Sequence, residues 1–107
     1  MLIIDSHLDL SWNALQWDRD LLKSVYSIRQ TELPLTGKAR GMGTVALPEM
    51  RQGRVFVSFA TLLARCTGRQ AAGIDYSSVA QAHAVAKGQL AYYRALEKAG
   101  YVRVIEN

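Results

Sequence analysis

Two apolar runs without polar alternation constrain the fold of this chain more than any other feature. Residues 2–4 and residues 55–62 are rich in the side chains that favour strands. A strand without alternation is typical of a parallel sheet that is covered on both faces. We therefore expect two strands buried on both faces, and a third strand over residues 101–105, where a similar composition returns.

Between these runs, the spacing of apolar residues predicts helices. A helix is expected over residues 11–25, and a longer one over residues 78–99 that Gly100 closes. Asp75 or Ser77 is the expected cap of the longer helix. Its apolar positions recur every three or four residues and form the expected inward stripe, Val79, Ala82, Ala86, Leu90 and Tyr93.

Two shorter segments separate the first helix from the second strand. Residues 47–53 contain Pro48 where a helix can begin and Gly53 where it can end, which predicts a helix of one or two turns. Residues 31–44 carry one proline and three glycines, and they are expected to be a mobile connection that either lines a cleft or hangs free.

The alternation of strands and helices predicts right-handed crossovers and a mostly parallel sheet. Three parallel strands would leave two open edges and too few helices to cover them. We therefore predict an α/β fold in which residues 1–107 form the N-terminal part of a (β/α)8 TIM-like barrel, with three parallel strands and one long helix. The chain is expected to be a truncated portion of that single barrel domain.

Composition excludes several other classes of protein. Half of the 107 residues are hydrophobic and 21% are charged, which is too apolar for disorder. The longest uncharged apolar stretch, residues 55–64, is about half of the ~20 residues that cross a bilayer, so no membrane span is expected. A single cysteine and the lack of a basic, apolar leader at the N-terminus favour a cytoplasmic protein.

Asp5, His7 and Asp9 follow the first predicted strand, at the strand end where parallel folds build their sites. Alternate side chains of an extended segment share a face, so these three can point the same way. Imidazole nitrogen and carboxylate oxygen are donors that suit zinc. The alternative is structural, with His7 a hydrogen-bonded residue at a strand end and Asp9 a helix cap.

Residues 5–12, with the sequence DSHLDLSW, resemble the N-terminal DxHxDLxW signature of the membrane (renal) dipeptidase family, the M19 peptidases. Residues 44–55 are similar to that family's stretch of a proline-led short helix, a glycine and the second strand. Related amidohydrolase and TatD-like hydrolases usually carry HxH after the first strand. Asp9 is therefore the residue that favours the dipeptidase family.

The resemblance implies a zinc-dependent hydrolase that cleaves small dipeptides or related amides through a hydroxide held between two zinc ions. It implies that His7 and Asp9 bind one metal, and that Asp5 orients His7 or a nearby backbone donor from behind. Trp12 either lines the substrate cleft, by resemblance, or packs in the core, and the two interpretations have equal weight.

The resemblance places no catalytic residue in this portion of the chain. The bridging glutamate, two further histidines and the acid/base aspartate are expected beyond residue 107. Glu106 ends the third predicted strand, but the family places its bridging glutamate before a glycine, and here Asn107 follows. The isolated chain is therefore expected to be inactive.

Two other functions remain open. One is a small basic α/β binding module, since the chain has a net charge of +4. Its basic residues are dispersed and no aromatic residues alternate with them, and this pattern argues against binding of nucleic acid. The other is a non-catalytic fragment that associates through open sheet edges, and a homo-oligomer is expected in either case. His83 lies in the long helix and is not expected to be a ligand. The six basic residues that would form the surface of the binding module are Lys38, Arg40, Arg51, Arg54, Arg65 and Arg69.

Overall fold

The computed structural model describes residues 1–69 and 71–106. The chain divides into two compact units, Met1–Ala60 and Thr61–Asn107. All elements but the last belong to the first unit. In chain order they are β1 (Ile3–Leu8), α1 (Leu10–Gln16), α2 (Val25–Glu32), α3 (Leu47–Gln52), β2 (Val55–Ala60) and α4 (Val79–Lys98).

β1 and β2 form a two-stranded parallel sheet. The predicted parallel pairing of the two apolar runs is thus confirmed. Parallel strands need a long crossover, which the segment with α1, α2 and α3 provides. Because the strands are parallel, their carboxyl ends lie at the same edge of the sheet, where Leu8 pairs with Ala60.

The third predicted strand does not form. Residues 101–105 pair with no strand in the described part of the chain. The main-chain N of Val104 instead donates a hydrogen bond to Oε1 of Glu97, at 2.9 Å. The prediction of a (β/α)8 barrel portion with three parallel strands is therefore wrong, although the one long helix that it included is present as α4. The described residues form an α/β structure with a two-stranded parallel sheet and four helices.

The two strands are also less buried than the sequence predicts. Ile4 in β1 is 67% exposed and Phe56 in β2 is 72% exposed. The cause is the small amount of covering structure, because α3, the helix that packs against β2, has only six residues. Burial on both faces was the wrong prediction for these strands.

The expected helix over residues 11–25 is divided in two. α1 ends at Gln16, and Asp18 adopts a left-handed backbone conformation with φ 53°, which a continuing helix does not allow. α2 begins after Ser24, whose side chain accepts a hydrogen bond from the main-chain N of Ser27 at 3.2 Å. Both signals are local backbone features that apolar spacing does not report.

α3 confirms the short predicted helix, with Pro48 in its first turn and Gly53 at its C-terminal end. α4 confirms the long one, although its cap is Ser78 rather than Asp75 or Ser77. The buried face of α4 comprises Gln89, Tyr93 and Leu96, whereas Val79 of the predicted stripe is 75% exposed. No helix among the described residues is both long enough and apolar enough to cross a bilayer.

Candidate metal centre

The two predicted metal ligands lie on either side of a strand end. His7 is the fifth residue of β1, and Asp9 is the residue that precedes the first turn of α1. β1 extends four residues further than the predicted strand, because Ile3–Leu8 all take strand conformation. His7 therefore lies in the strand, between Asp5 and Leu8 where the register with β2 is irregular, and Asp9 lies at the start of a helix.

The side chains of His7 and Asp9 face each other. Nε2 of His7 lies 3.4 Å from Oδ1 of Asp9, and the two side chains are 72% and 31% exposed. In a tetrahedral zinc site with ligand bonds of about 2.0–2.1 Å, neighbouring donor atoms lie about 3.3 Å apart. The observed separation therefore fits two adjacent ligands of one ion, and the donors are accessible to an ion from solvent.

The Asp9 carboxylate is not used to cap α1. Asp9 occupies the N-cap position with φ −85° and ψ 52°, but its side chain makes no capping hydrogen bond to the helix. A capping aspartate would accept from a main-chain N–H two or three residues later. The alternative prediction, that the Asp9 side chain caps α1, is thus wrong.

Asp5 lies behind His7 in the same strand. Its Oδ1 accepts a hydrogen bond from the main-chain N of His7, at 2.9 Å. The contact is to the backbone donor of His7, which fixes the main chain from which the imidazole projects. The bond is to the backbone donor that the sequence analysis named as one of two possible partners of Asp5, and the role of Asp5 at a metal site stays a prediction.

Trp12 is half-buried, and its ring meets that of Trp17 edge-to-face, with centroids 5.6 Å apart and an interplanar angle of 82°. The guanidinium carbons of Arg19 and Arg40 lie 5.2 and 4.9 Å from the centroid of the Trp17 ring. Trp12 thus contacts another aromatic ring but is not buried in the core. Its role in a substrate cleft stays a prediction.

No third ligand joins the pair within residues 1–69 and 71–106. No group of three or more His, Cys, Asp or Glu side chains there could hold a metal ion. His83 is exposed on α4, in the second unit. Glu106 is in the second unit as well, where its carboxylate accepts a hydrogen bond from Arg94. The described residues therefore bring together the two predicted ligands and no third.

The sequence analysis missed a buried charged cluster, which we call the Glu32 cluster and which comprises Glu32, Arg19 and Arg40. Nε and NH2 of Arg19 donate to Oε1 and Oε2 of Glu32 at 2.7 and 3.1 Å. NH1 of Arg40 donates to Oε1 at 2.9 Å. The side chains of Arg19 and Glu32 are 7% and 3% exposed. A buried carboxylate is thus met by two guanidinium groups.

The Glu32 cluster lowers the pKa of Glu32 and holds the loop that follows α2 in place. Hydrogen bonding from Arg19 is the main reason that the pKa of Glu32 falls from 4.5 to about 2, against the effect of burial, which raises it. The main-chain N of Gly41 also donates to Oε2, at 2.6 Å. The predicted mobile connection, residues 31–44, is therefore fastened to the first unit at Arg40 and Gly41.

A cavity of about 280 Å³ borders the end of β1 and includes Asp5, Leu8 and Glu49 in its lining. A larger one, of about 590 Å³, lies in the second unit beside Arg94. Arg94 there is already paired with Glu97 and Glu106. The lining of the smaller cavity includes neither His7 nor Asp9, although Asp5 and Leu8 of the same strand contribute to it.

No family model matches the chain, and no curated protein or solved structure is significantly similar to it. The resemblance to the dipeptidase family thus depends on the residues of the two motifs alone.

Proposed function

We propose that His7 and Asp9 are two ligands of a divalent metal ion in a zinc-dependent hydrolase of the dipeptidase type. The observation that carries the proposal is the 3.4 Å separation of His7 Nε2 and Asp9 Oδ1 at the carboxyl end of a parallel strand. A zinc ion held by such donors acidifies its bound water to a pKa near ~7, which supplies hydroxide at neutral pH.

In this proposal, the residues of the chain have separate tasks. His7 supplies an imidazole nitrogen from a strand, and Asp9 supplies a carboxylate oxygen from the residue that precedes α1. Asp5 fixes the main chain of His7 through the 2.9 Å hydrogen bond to its N–H. The remaining ligands, and those of the second zinc ion that the resemblance implies, come from outside the described residues.

The proposed substrates are small dipeptides or related amides, a class that follows from the motif resemblance. The cavity beside Asp5 and Leu8, at about 280 Å³, is close to the lower end of small-molecule pockets, ~300 Å³.

The charge distribution supports this function over a basic binding module. Two of the six basic residues of that alternative are engaged within the chain, because Arg40 pairs with Glu32 and Arg65 pairs with Asp75. Their charge is therefore partly compensated. Nucleic-acid binding depends on uncompensated Lys and Arg side chains that replace counterions.

The test is a Zn²⁺ titration of the 107-residue chain, followed by the side-chain nitrogen resonances of its histidines. The chain has two histidines, so exposed His83 is an internal reference for His7. We expect Zn²⁺ to shift Nε2 of His7 well before it shifts His83. Asp9→Asn should weaken the response of His7, because the amide is a poorer ligand than the carboxylate.

His83→Ala is the matched control, and it should leave the His7 response unchanged. Equal responses from His7 and His83, or a His7 response that Asp9→Asn does not alter, would contradict the proposal. Dipeptide hydrolysis by the isolated chain is not expected, because two ligands cannot complete the site. Metal-dependent turnover that survives His7→Ala would also count against these ligands.

A further inference from the structure

We infer that Asn13 is a positioning residue for Asp9, an inference that rests on the proposed function. Asn13 makes two hydrogen bonds to the main-chain carbonyl oxygen of Asp9, from its own main-chain N at 3.1 Å and from its side-chain Nδ2 at 2.9 Å. The first is the ordinary bond between residues four apart in a helix. The second belongs to the asparagine side chain alone.

The oxygen of the Asn13 side-chain amide is also hydrogen-bonded. Its Oδ1 accepts a hydrogen bond from NH1 of Arg19, at 2.6 Å. A guanidinium group carries only donors, so the amide atom that faces it must be the oxygen. The NH2 group of Asn13 is thereby turned towards the carbonyl of Asp9.

Arg19 is itself anchored by the Glu32 cluster. Its guanidinium donates to both carboxylate oxygens of Glu32 and, at 2.9 Å, to the main-chain oxygen of Ala39. With 7% of its side chain exposed, Arg19 is enclosed by the first unit. Asn13 therefore links the main chain of a proposed ligand to a guanidinium group that is fixed on several sides.

The link matters because the Asp9 side chain is short. The two bonds from Asn13 hold the peptide group that is attached to Cα of Asp9, and the carboxylate is joined to the same Cα by one methylene group. Holding this peptide group therefore restricts the position from which the carboxylate reaches towards His7. Groups that orient a ligand from behind typically affect metal affinity 10- to 100-fold. We place Asn13 in this role.

Asn13→Asp tests the role with little change of shape. The variant keeps an oxygen for Arg19 but replaces the NH2 group with a second oxygen opposite the Asp9 carbonyl. Its added negative charge would by itself strengthen cation binding, whereas loss of the positioning bond weakens it. We expect the Zn²⁺ affinity reported by the His7 resonances to fall about tenfold.

Asn13→Ala is the second variant, and it is expected to fold because alanine is the better helix former. Its thermal unfolding midpoint should fall somewhat, because NH1 of the buried Arg19 loses its acceptor. Zn²⁺ affinity is therefore compared at a temperature where the variant is fully folded, and there it should also be weaker. The control is Gln30→Glu, which makes the same amide-to-acid change at an exposed position of α2 and should leave the affinity unchanged.

The outcomes separate this inference from the function it rests on. Weaker binding in both Asn13 variants, measured where each variant is fully folded, supports it. Wild-type affinity in both variants overturns it, as does an affinity loss that only tracks loss of folded protein. If His7 of the wild-type chain does not respond to Zn²⁺, the proposed function fails, and the inference fails with it.

Discussion

The guanidinium group of Arg19 donates two hydrogen bonds to the carboxylate of Glu32, at 2.7 and 3.1 Å, across 13 residues of sequence. Such a two-point contact fixes the orientation as well as the distance of both groups. Since both side chains are almost fully buried, each charge depends on the other. The pair therefore holds the segment after α1 to the end of α2.

Glu32→Gln should destabilise the chain strongly. The amide keeps the shape of the side chain but leaves two guanidinium groups without a buried counter-charge, a loss of about 3–5 kcal/mol in the free energy of unfolding. Urea denaturation followed by tryptophan fluorescence measures it. Glu106→Gln is the control, because Glu106 is exposed and its loss should have a far smaller effect. Equal losses in the two variants would contradict the prediction.

Stability should fall in acid because of the same residue. The pKa of Glu32 is lowered from 4.5 to about 2, first by the hydrogen bond from Arg19. A lowered folded-state pKa means that the stabilisation is complete above pH 4.5 and disappears as the pH falls from 4.5 towards 2.

The measurement is the thermal unfolding midpoint of the wild-type chain across this pH range. Hydrogen bonds from Thr67 and Val104 also lower the pKa of Asp75 and Glu97, so other groups contribute. A direct carbon NMR titration of Glu32 separates its share. A Glu32 carboxyl that titrates near pH 4.5 would show that the cluster does not hold it ionised.

His7→Ala should leave the fold unchanged. The His7 side chain is 72% exposed and its imidazole belongs to no buried contact network, so truncation removes little packing. The thermal unfolding midpoint should match that of the wild-type chain, while the Zn²⁺ response is lost. A marked drop in the midpoint would instead favour a structural role for His7.

Gln89→Leu should destabilise the second unit. The fully buried Gln89 amide accepts a hydrogen bond from the main-chain N of Leu63 at 2.6 Å and donates to its oxygen at 2.9 Å. Leucine would leave both main-chain groups unsatisfied, at a cost of about 1–3 kcal/mol. Hydrogen exchange at the Leu63 amide and urea denaturation measure the change. Gln81→Leu, at an exposed position of α4, should cost less.

The chain should self-associate at micromolar concentration. Ile4, Phe56 and Phe59 are 67%, 72% and 63% exposed, which is unusual for large apolar side chains of a sheet. Light scattering measures the mass, and the double variant Phe56→Ser/Phe59→Ser should be monomeric. A wild-type chain that is already a monodisperse monomer would contradict the prediction and the expected homo-oligomer.

Local sequence signals predicted the elements whose ends they mark. Pro48 and Gly53 mark the two ends of α3, and the run of apolar residues from Val55 marks β2. These elements were predicted correctly because each signal acts within a few residues. The divided helix was missed, since the left-handed Asp18 depends on backbone geometry that apolar periodicity does not contain. The third strand was missed because a strand needs a partner, and Val104 bonds to a side chain instead.

The sequence pattern predicted the candidate site residues His7 and Asp9, but it did not predict the hydrogen bonds of the Glu32 cluster. The sequence pattern predicted that His7 and Asp9 lie close together, but the reason given was alternation along a strand, and Asp9 lies at the start of α1 instead. The contact of Arg19 with Glu32 has no periodic signature, because it joins a turn to the last residue of α2 through side chains that look like surface charges. Residues 39–41 lie against the Glu32 cluster because the oxygen of Ala39 accepts a hydrogen bond from Arg19, and because Arg40 and the main-chain N of Gly41 donate to Glu32.

The hydrogen bonds that hold the Asp9 carbonyl have a consequence for the order of folding during synthesis. All of their supporting groups, from Asn13 to Gly41, precede β2 in the chain. β1 gains its partner strand only when Val55–Ala60 has been made. As the nascent chain leaves the ribosome, the anchor of Asp9 can therefore assemble before the sheet that carries His7, since contacts close in sequence form sooner than distant ones.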